Sequence, residues 1–302
     1  MKLHADEHFN IGYAHVAGGK PCQDHALSGT HEGAAYAIVS DGCSTGGHTD
    51  VGARLMSLSA AAAIREHWSS TRNAVEQSAA QDVVLRQRLI LGGVKEMLRL
   101  RLSDMLATCA YVYLTAEGGF VHLRGDGVIA FVYEDGGIVL RRYDWPDNRP
   151  FYPAYVENNL SLFVQAHGGD INALVLKEEV YGNRSESKKL LLEASKNHSI
   201  ADGIRGITVP IAKDDMEKQG LLFVAVFSDG VCQVEDMAWT EAARQLLAFK
   251  NYEGVFAKRR MMRFVQDTHK TGKGPLDDIA CAVVRVDRSD EPKEALEKID
   301  GS

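Results

Sequence analysis

The chain has 302 residues, 45% of them apolar and 25% charged, with a formal net charge of -7. That acidic balance argues against a nucleic-acid surface, and the strongest basic cluster, Lys258, Arg259, Arg260 and Arg263, is expected on the solvent face of a helix. Five cysteines without a C-x-x-C pair argue against zinc knuckles and a disulfide framework; with no secretory-type opening and no apolar run of membrane-spanning length, a cytoplasmic protein off the membrane is expected.

In chain order, short β-like runs come first, Phe9 to Ala14 and Ala35 to Ser40, the second stopping at Asp41-Gly42. From His48 the apolar period becomes helical: Val51, Leu55, Leu58, Ala62 and Trp68 share a face. A second helix is expected from Ala74 to Leu102, with Gly92-Gly93 as a candidate kink. Thr108–Thr115, Phe120–Arg124, Val128–Tyr133 and Ile138–Tyr143 then read as a meander. Gly118-Gly119, Asp126-Gly127 and Gly136-Gly137 stand at hairpin spacing between them. Within 144–220, three prolines mark a loop, Leu160–Gln165 and Ala173–Leu176 resemble strands, and Ser185–Asn197 reads as a helix or an excursion. Leu221–Ser228 is a continuous apolar run suited to a buried strand and ends at Asp229-Gly230. Helices over Trp239–Ala248 and Gly254–His269 precede a last strand, Ile279–Val286, which starts directly after Asp277-Asp278. No repeat or linker interrupts the chain. The expectation is one domain over 1–287, a charged tail over 288–302, and a layered α+β architecture with helices on both faces of largely antiparallel sheets.

One local event recurs: a strand or turn delivers an Asp, often followed by Gly, at Asp24, Asp41-Gly42, Asp126-Gly127, Asp229-Gly230 and Asp277-Asp278. Such hard oxygen donors suit Mg²⁺ or Mn²⁺ rather than zinc, and an adjacent Gly lets a backbone carbonyl approach an ion. Taken singly, each Asp-Gly is first of all a turn. Two long apolar strands ending alike, at Ser40-Asp41-Gly42 and Ser228-Asp229-Gly230, raise the chemical reading above that one.

The ordered series Gln23-Asp24, Ile38-Val39-Ser40-Asp41-Gly42 with Gly46-Gly47, Thr108, Gly125-Asp126, Phe227-Ser228-Asp229-Gly230 and Asp277-Asp278-Ile279-Ala280 resembles the metal-dependent protein phosphatases, the type 2C Ser/Thr enzymes. Gly18-Gly19-Lys20-Pro21-Cys22-Gln23-Asp24 is closest in style to their bacterial branch. The resemblance implies a central β-sandwich of two antiparallel sheets flanked by pairs of antiparallel helices, with two Mg²⁺ or Mn²⁺ ions in a cleft at one end. On that resemblance Asp41 bridges the ions, Gly42 offers its carbonyl, Asp229 and Asp277 complete one shell, Asp24 holds water, and Asp126 helps to hold a third, weaker ion. It also implies hydrolysis of phosphoserine and phosphothreonine in proteins by water activated between the two ions, against the products of a cognate Ser/Thr kinase.

The departures from the pattern are specific. Gln23 replaces a Glu, Gly19 stands where the phosphate-binding Arg is usual, and Cys43 follows the first Asp-Gly in place of His. Lys20 is the candidate to hold phosphate in the absence of that Arg. His48, or else His15, is the candidate proton donor to the leaving oxygen. Asp278 replaces an Asn and either binds metal or caps the following strand. These changes keep open an alternative, a catalytically weak or dead module that binds phosphoproteins or partners, and also a phosphatase for small esters.

Overall fold

A computed structural model describes residues 1–72, 77–157, 160–171, 174–183 and 189–288. The chain opens with strand β1 (Lys2–Asn10), a short helix α1 (Tyr13–Ala17), β2 (Asp24–His31) and β3 (Ala34–Asp41). Two long helices follow, α2 (Thr49–Thr71) and α3 (Gln77–Leu98). Next come β4 (Cys109–Thr115), β5 (Gly118–Arg124), β6 (Gly127–Tyr133) and β7 (Ile138–Asp144). The middle of the chain forms α4 (Leu160–Ala166), β8 (Leu176–Gly182), β9 (Leu191–His198), α5 (Ile200–Arg205), β10 (Ile207–Ala212) and α6 (Lys213–Glu217). It ends with β11 (Leu221–Phe227), α7 (Trp239–Leu246), α8 (Phe256–Lys270) and β12 (Ile279–Asp287).

The strands form two sheets, ordered β1-β12-β11-β6-β7-β8-β9 and β10-β5-β4-β3-β2, and every pairing is antiparallel. Strand period decides how they stack, because successive side chains point to opposite faces. In β3, Ala35, Ala37 and Val39 join the core between the sheets, with Val112, Leu123, Ile129, Val224 and Val284. The alternate residues Ala34, Tyr36 and Ile38 pack outward against Met56, Ala60, Ile64 and Val83 of α2 and α3. On the other sheet Ala130, Phe223, Ala225 and Phe227 face outward against Leu246, Met261 and Phe264 of α7 and α8. The result is the α+β sandwich of helices, two sheets and helices. A strand covered on both faces has no polar side, which is why β11 reads as an unbroken apolar run.

Several expectations are corrected. The four strands from Cys109 to Asp144 are two hairpins on different sheets: β4 pairs β5, and β6 pairs β7. Asp126-Gly127 is therefore a crossover between sheets rather than a hairpin turn. The strand expected over Phe9–Ala14 lies earlier, as β1, and Tyr13 begins a helix instead. Leu160–Gln165 is helical: Phe163 and Val164 pack on the core while Leu160 is exposed, a helical spacing that a short apolar run does not reveal. Ser185–Asn197 ends as the strand β9, exposed almost throughout and hence without alternating apolar residues, its first part lying outside the described residues. Of the described residues in Ala173–Leu176, only Leu176 is in a strand. Gly92 and Gly93 interrupt nothing, as α3 runs through them. Lys258, Arg259 and Arg263 are exposed on α8, as anticipated. The charged tail lies, from residue 289 on, outside the described residues.

Ile38 is fully buried between β3 and the α2–α3 pair. Ile38→Ala is expected to lower unfolding free energy by about 2–5 kcal/mol through lost burial and a residual cavity; urea denaturation measures this directly.

Candidate metal centre and cleft

Antiparallel pairing brings the end of one strand beside the start of the next, and this places the aspartates together. Asp24 opens β2 and pairs directly with Asp41, which closes β3. Phe227 at the end of β11 lies opposite both Val128 of β6 and Cys281 of β12. Asp229, Asp126 and Asp277, each just beyond these positions, thus share one end of the sandwich. Thr108 fixes Asp41 by its backbone: its N–H donates to the Asp41 carbonyl at 2.8 Å, and its hydroxyl accepts from the Asp41 N–H at 3.0 Å. Gly125 turns there with φ 101°, where a Cβ would press on the Thr108 side chain at 2.7 Å. The Trp145 indole donates to the Gly125 carbonyl at 3.0 Å and pins the crossover.

A cleft of about 530 Å³ opens at this end. Its lining includes Asp41, Gly42, Asp126, Asp229 and Asp277, with Cys43, Ser44 and Thr45 on one wall. The far wall comes from the segment after β7, which brings Asp147, Arg149, Tyr152 and His167. That segment carries no regular period, so sequence analysis misses these lining residues. His167 is held by the carbonyls of Phe163 and Arg149, at 2.8 and 3.0 Å.

Gln233 escapes sequence analysis as well. Its amide Nε2 donates to Asp229 at 3.0 Å and to Asp277 at 3.3 Å, tying two strand ends together. The available signal is its position, four residues after Asp229, at the close of the short 3-10 turn over Asp229–Cys232.

Asp278 sits differently. Its Oδ1 accepts from the Gly12 N–H at 2.7 Å, and its Oδ2 accepts from the Gln23 N–H at 2.5 Å and contacts His15 Nδ1 at 2.8 Å. Both oxygens are thereby committed to fastening the 12–23 segment to the start of β12. His15 Nε2 lies 3.6 Å from Asp277. Among the described residues, His15, Asp277 and Asp278 are the one group whose ligand atoms all lie within 4.8 Å of one another. His48 does not reach the cleft: it is exposed at the start of α2, where its N–H donates to Asp104 at 3.0 Å. Lys20 is exposed at the rim, donating to the carbonyl of Ser44, a residue of the cleft wall, at 3.2 Å.

The carboxyls are electrostatically strained. Asp24, Asp41, Asp126 and Asp229 are all held above the usual carboxylate range, by burial first and then by the charge of neighbouring carboxylates, Asp277, Asp278 and Asp144 among them. The Ser228 hydroxyl partly offsets this at Asp24. The side chains of Asp41 and Asp229 are within hydrogen-bond reach of each other, so the two behave as a pair. Asp24 Oδ2 and Gln23 Oε1 are buried acceptors without a hydrogen-bond partner among the described residues. The carboxylates and the Gly42 backbone that line the cleft, with the orphaned oxygen of Asp24 on the strand paired to Asp41, form an oxygen-rich donor set that fits hard divalent cations.

Residues 11–156 match the family model described as protein phosphatase 2C. No curated protein matches the sequence. Among solved structures, the S. agalactiae serine/threonine phosphatase is 15% identical, covering 94% of this chain and 100% of its own, with a TM-score of 0.50. The serine/threonine phosphatase Stp1 from Staphylococcus aureus is 10% identical over 95% of this chain and 96% of its own, with a TM-score of 0.51. A structure described as a bacterial serine phosphatase is also 10% identical, over 94% and 98%, with a TM-score of 0.50.

Linkage fixes the sign of a pH effect. A carboxyl whose folded pKa is raised stabilises fully below its unfolded value of 3.8, and that contribution is lost as pH rises through the raised folded value. In chelator, Asp24→Asn is therefore expected to raise Tm by a few degrees at about pH 8 and by less at about pH 5. A Tm difference independent of pH would show that the cluster is not repelling. The chain is thus similar to the protein phosphatase 2C family in sequence over residues 11–156, and it shares the fold of bacterial serine/threonine phosphatases over nearly its whole length.

Proposed function

We propose that the protein hydrolyses phosphoserine and phosphothreonine in other proteins, using two Mg²⁺ or Mn²⁺ ions and accepting a third more weakly. One observation carries this reading: four aspartates from separate strand ends, Asp41, Asp126, Asp229 and Asp277, line one cleft, and Asp24 is paired directly with Asp41. Asp41, Asp229 and Asp277, with the Gly42 carbonyl, would hold the main pair, Asp24 an associated water, and Asp126 the third ion. When bound, such ions supply Lewis-acid activation of a water nucleophile and neutralise charge at the phosphoryl group.

The chain's own residues do the positioning. The Gln233 amide fixes the spacing of Asp229 and Asp277. Lys20 at the rim and Arg149 in the wall offer positive charge to a phosphate, Arg149 supplying the planar fork that Gly19 lacks. Of the two histidines considered for protonating the leaving oxygen, His15 stands beside the carboxylates and His48 does not. Asp278 is best read as a tether that orients His15 rather than as a ligand. Residues 1–287 would act as one catalytic unit in the cytoplasm, on targets of a cognate Ser/Thr kinase or on the kinase itself. Gln23, a neutral amide where a Glu is usual, keeps a second reading open, a weak or inactive module that binds phosphoproteins.

Release of p-nitrophenol from its phosphate ester separates the two. Activity is expected to vanish in EDTA and to return with Mn²⁺ or Mg²⁺ but poorly with Zn²⁺. Asp229→Asn should lower kcat by at least about a hundredfold. Full turnover by metal-free protein would overturn the chemistry, and no turnover with Mn²⁺ bound would favour the binding module. On a phosphopeptide, Lys20→Ala should raise KM more than it lowers kcat, the mark of lost ground-state binding; an unchanged KM would leave Lys20 a surface residue.

A further inference from the structure

A second cavity lies behind the cleft wall, and it is charged in the opposite sense. About 80 Å³ in volume, it is bounded by α3, by the end of β5 and by Pro153 and Ala154. Its charged lining residues are Arg88, Lys95 and Arg124, with no Asp or Glu in the described lining. In a chain of net charge -7, three cations around a small hole need a reason.

Arg124 supplies the strongest one. It is only 5% exposed, yet its Nε has no hydrogen-bond partner among the described residues. Among the described residues, the groups acting on it electrostatically are Cys109, Tyr111 and Arg88, with no carboxylate among them. Burying a guanidinium without a counter-charge costs roughly several kcal/mol, so such residues are normally paired. The side chain lines the cavity instead.

The helix completes the arrangement. Arg88 and Lys95 are seven residues apart on α3, two turns along one face, and both are exposed at the mouth. Gly92 lies between them in the lining. A glycine inside a helix costs about 1 kcal/mol relative to Ala, and here packing does not demand it, because a Cβ would meet nothing within 4 Å. What its absence does provide is an open mouth. The remaining wall is largely apolar, from Met56, Leu91, Leu102 and Met105, and a low local dielectric strengthens any charge pairing inside.

We propose that this cavity is a binding site for a phosphate-class oxyanion, with Arg124 at its base and Arg88 and Lys95 at its mouth. The volume admits one small anion or the terminal phosphate of an ester whose remainder stays at the rim; it is too small for a whole nucleotide. The cavity and the cleft share no lining residue, but they share backbone. Arg124 is two residues from Asp126, and Pro153-Ala154 lie between Tyr152 and Tyr155, which line the cleft. An anion held here braces both the crossover strand and the cleft wall.

The test uses the full chain, stripped of metal and kept in chelator, so that the aspartate cleft repels anions. Inorganic phosphate and phenyl phosphate are titrated by calorimetry, with Tm followed in parallel. Saturable binding to one site and a rise in Tm with ligand are expected. The double variant Arg88→Gln/Lys95→Gln, changed only at exposed positions, should weaken binding ~10-fold or more, and Gly92→Leu should block it. Tighter binding of phenyl phosphate identifies a phosphate ester as the ligand class; tighter binding of inorganic phosphate identifies the free ion. Arg124→Met should abolish binding and raise Tm in phosphate-free buffer, since it removes a buried unpaired charge. The proposal is overturned by the absence of saturable binding, by unchanged affinity in the double variant, or by a fall in Tm for Arg124→Met, which would show that the protein itself satisfies that guanidinium.

Discussion

Everything in this molecule turns on the confinement of like charges at one end of a rigid sandwich. Left to themselves, four or five carboxylates would separate and remain in water. Here they are fixed by backbone ladders that continue into the core: Asp24 and Asp41 by the β2–β3 pairing, Asp229 and Asp277 by the β11–β12 pairing. Each strand buries residues such as Val39, Phe227 and Ile279, so moving a carboxylate would mean dragging apolar surface out of the core, at about 25 cal/mol for each Å² exposed. The sheets thus hold the charges together against repulsion. Strain of this kind is expected where a site is preorganised for a cation.

Hydrogen bonds within the protein relieve only part of the repulsion. Gln233 gives one amide to two carboxylates, and Ser228 helps Asp24. Asp278 is the contrasting case: surrounded by backbone N–H groups and His15, it is a satisfied buried carboxylate. The neighbouring residues Asp277 and Asp278 therefore do opposite things, one facing the cleft and one fastening the chain. Gly230 makes the close approach possible, since a Cβ there would overlap the Asp278 carbonyl.

Where each strand buries a regular face, the fold is legible in the residues themselves. The unbroken apolar run of β11 and the Asp at each strand end are of this kind, and the ordered motifs supply the convergence that periodicity cannot. The α2 helix is legible but its buried face is not: Val51 and Leu58 are exposed, and Ala53, Met56, Ala60 and Ile64 face the core instead. What escapes has no such signal. β1 and β9 lie at sheet edges; β9 is exposed almost throughout, and β1 packs only Leu3, Ala5 and Phe9, partly buried, against the core, so the apolar signal of both is weak. The crossover at Gly125-Asp126 has the composition of a hairpin turn; only knowledge of which sheet each flanking strand joins separates the two. The cleft wall from Asp147 to His167 is built of short turns around single anchors such as Phe163, which no period marks. His48 is near Asp41 in sequence, but α2 begins there and keeps it outside the cleft.

The replacement of a Glu by Gln23 also takes on a different meaning once its neighbours are known. The Gln23 amide donates to the Thr49 hydroxyl at 2.6 Å, and that hydroxyl donates its own proton to the Cys43 carbonyl at 3.0 Å. Thr49 is fully buried, so its hydroxyl cannot turn to water for another partner. A carboxylate at position 23 has no proton to give. It would claim the Thr49 hydroxyl as its donor, strip the Cys43 carbonyl of its hydrogen bond, and add a negative charge beside Asp24 and Asp278. A neutral amide keeps the relay intact and holds the Cys43 carbonyl in place, one residue beyond Gly42. The change therefore removes charge from the cluster while preserving the loop that presents the Gly42 backbone, and loss of the Glu is not by itself a sign that the site has decayed.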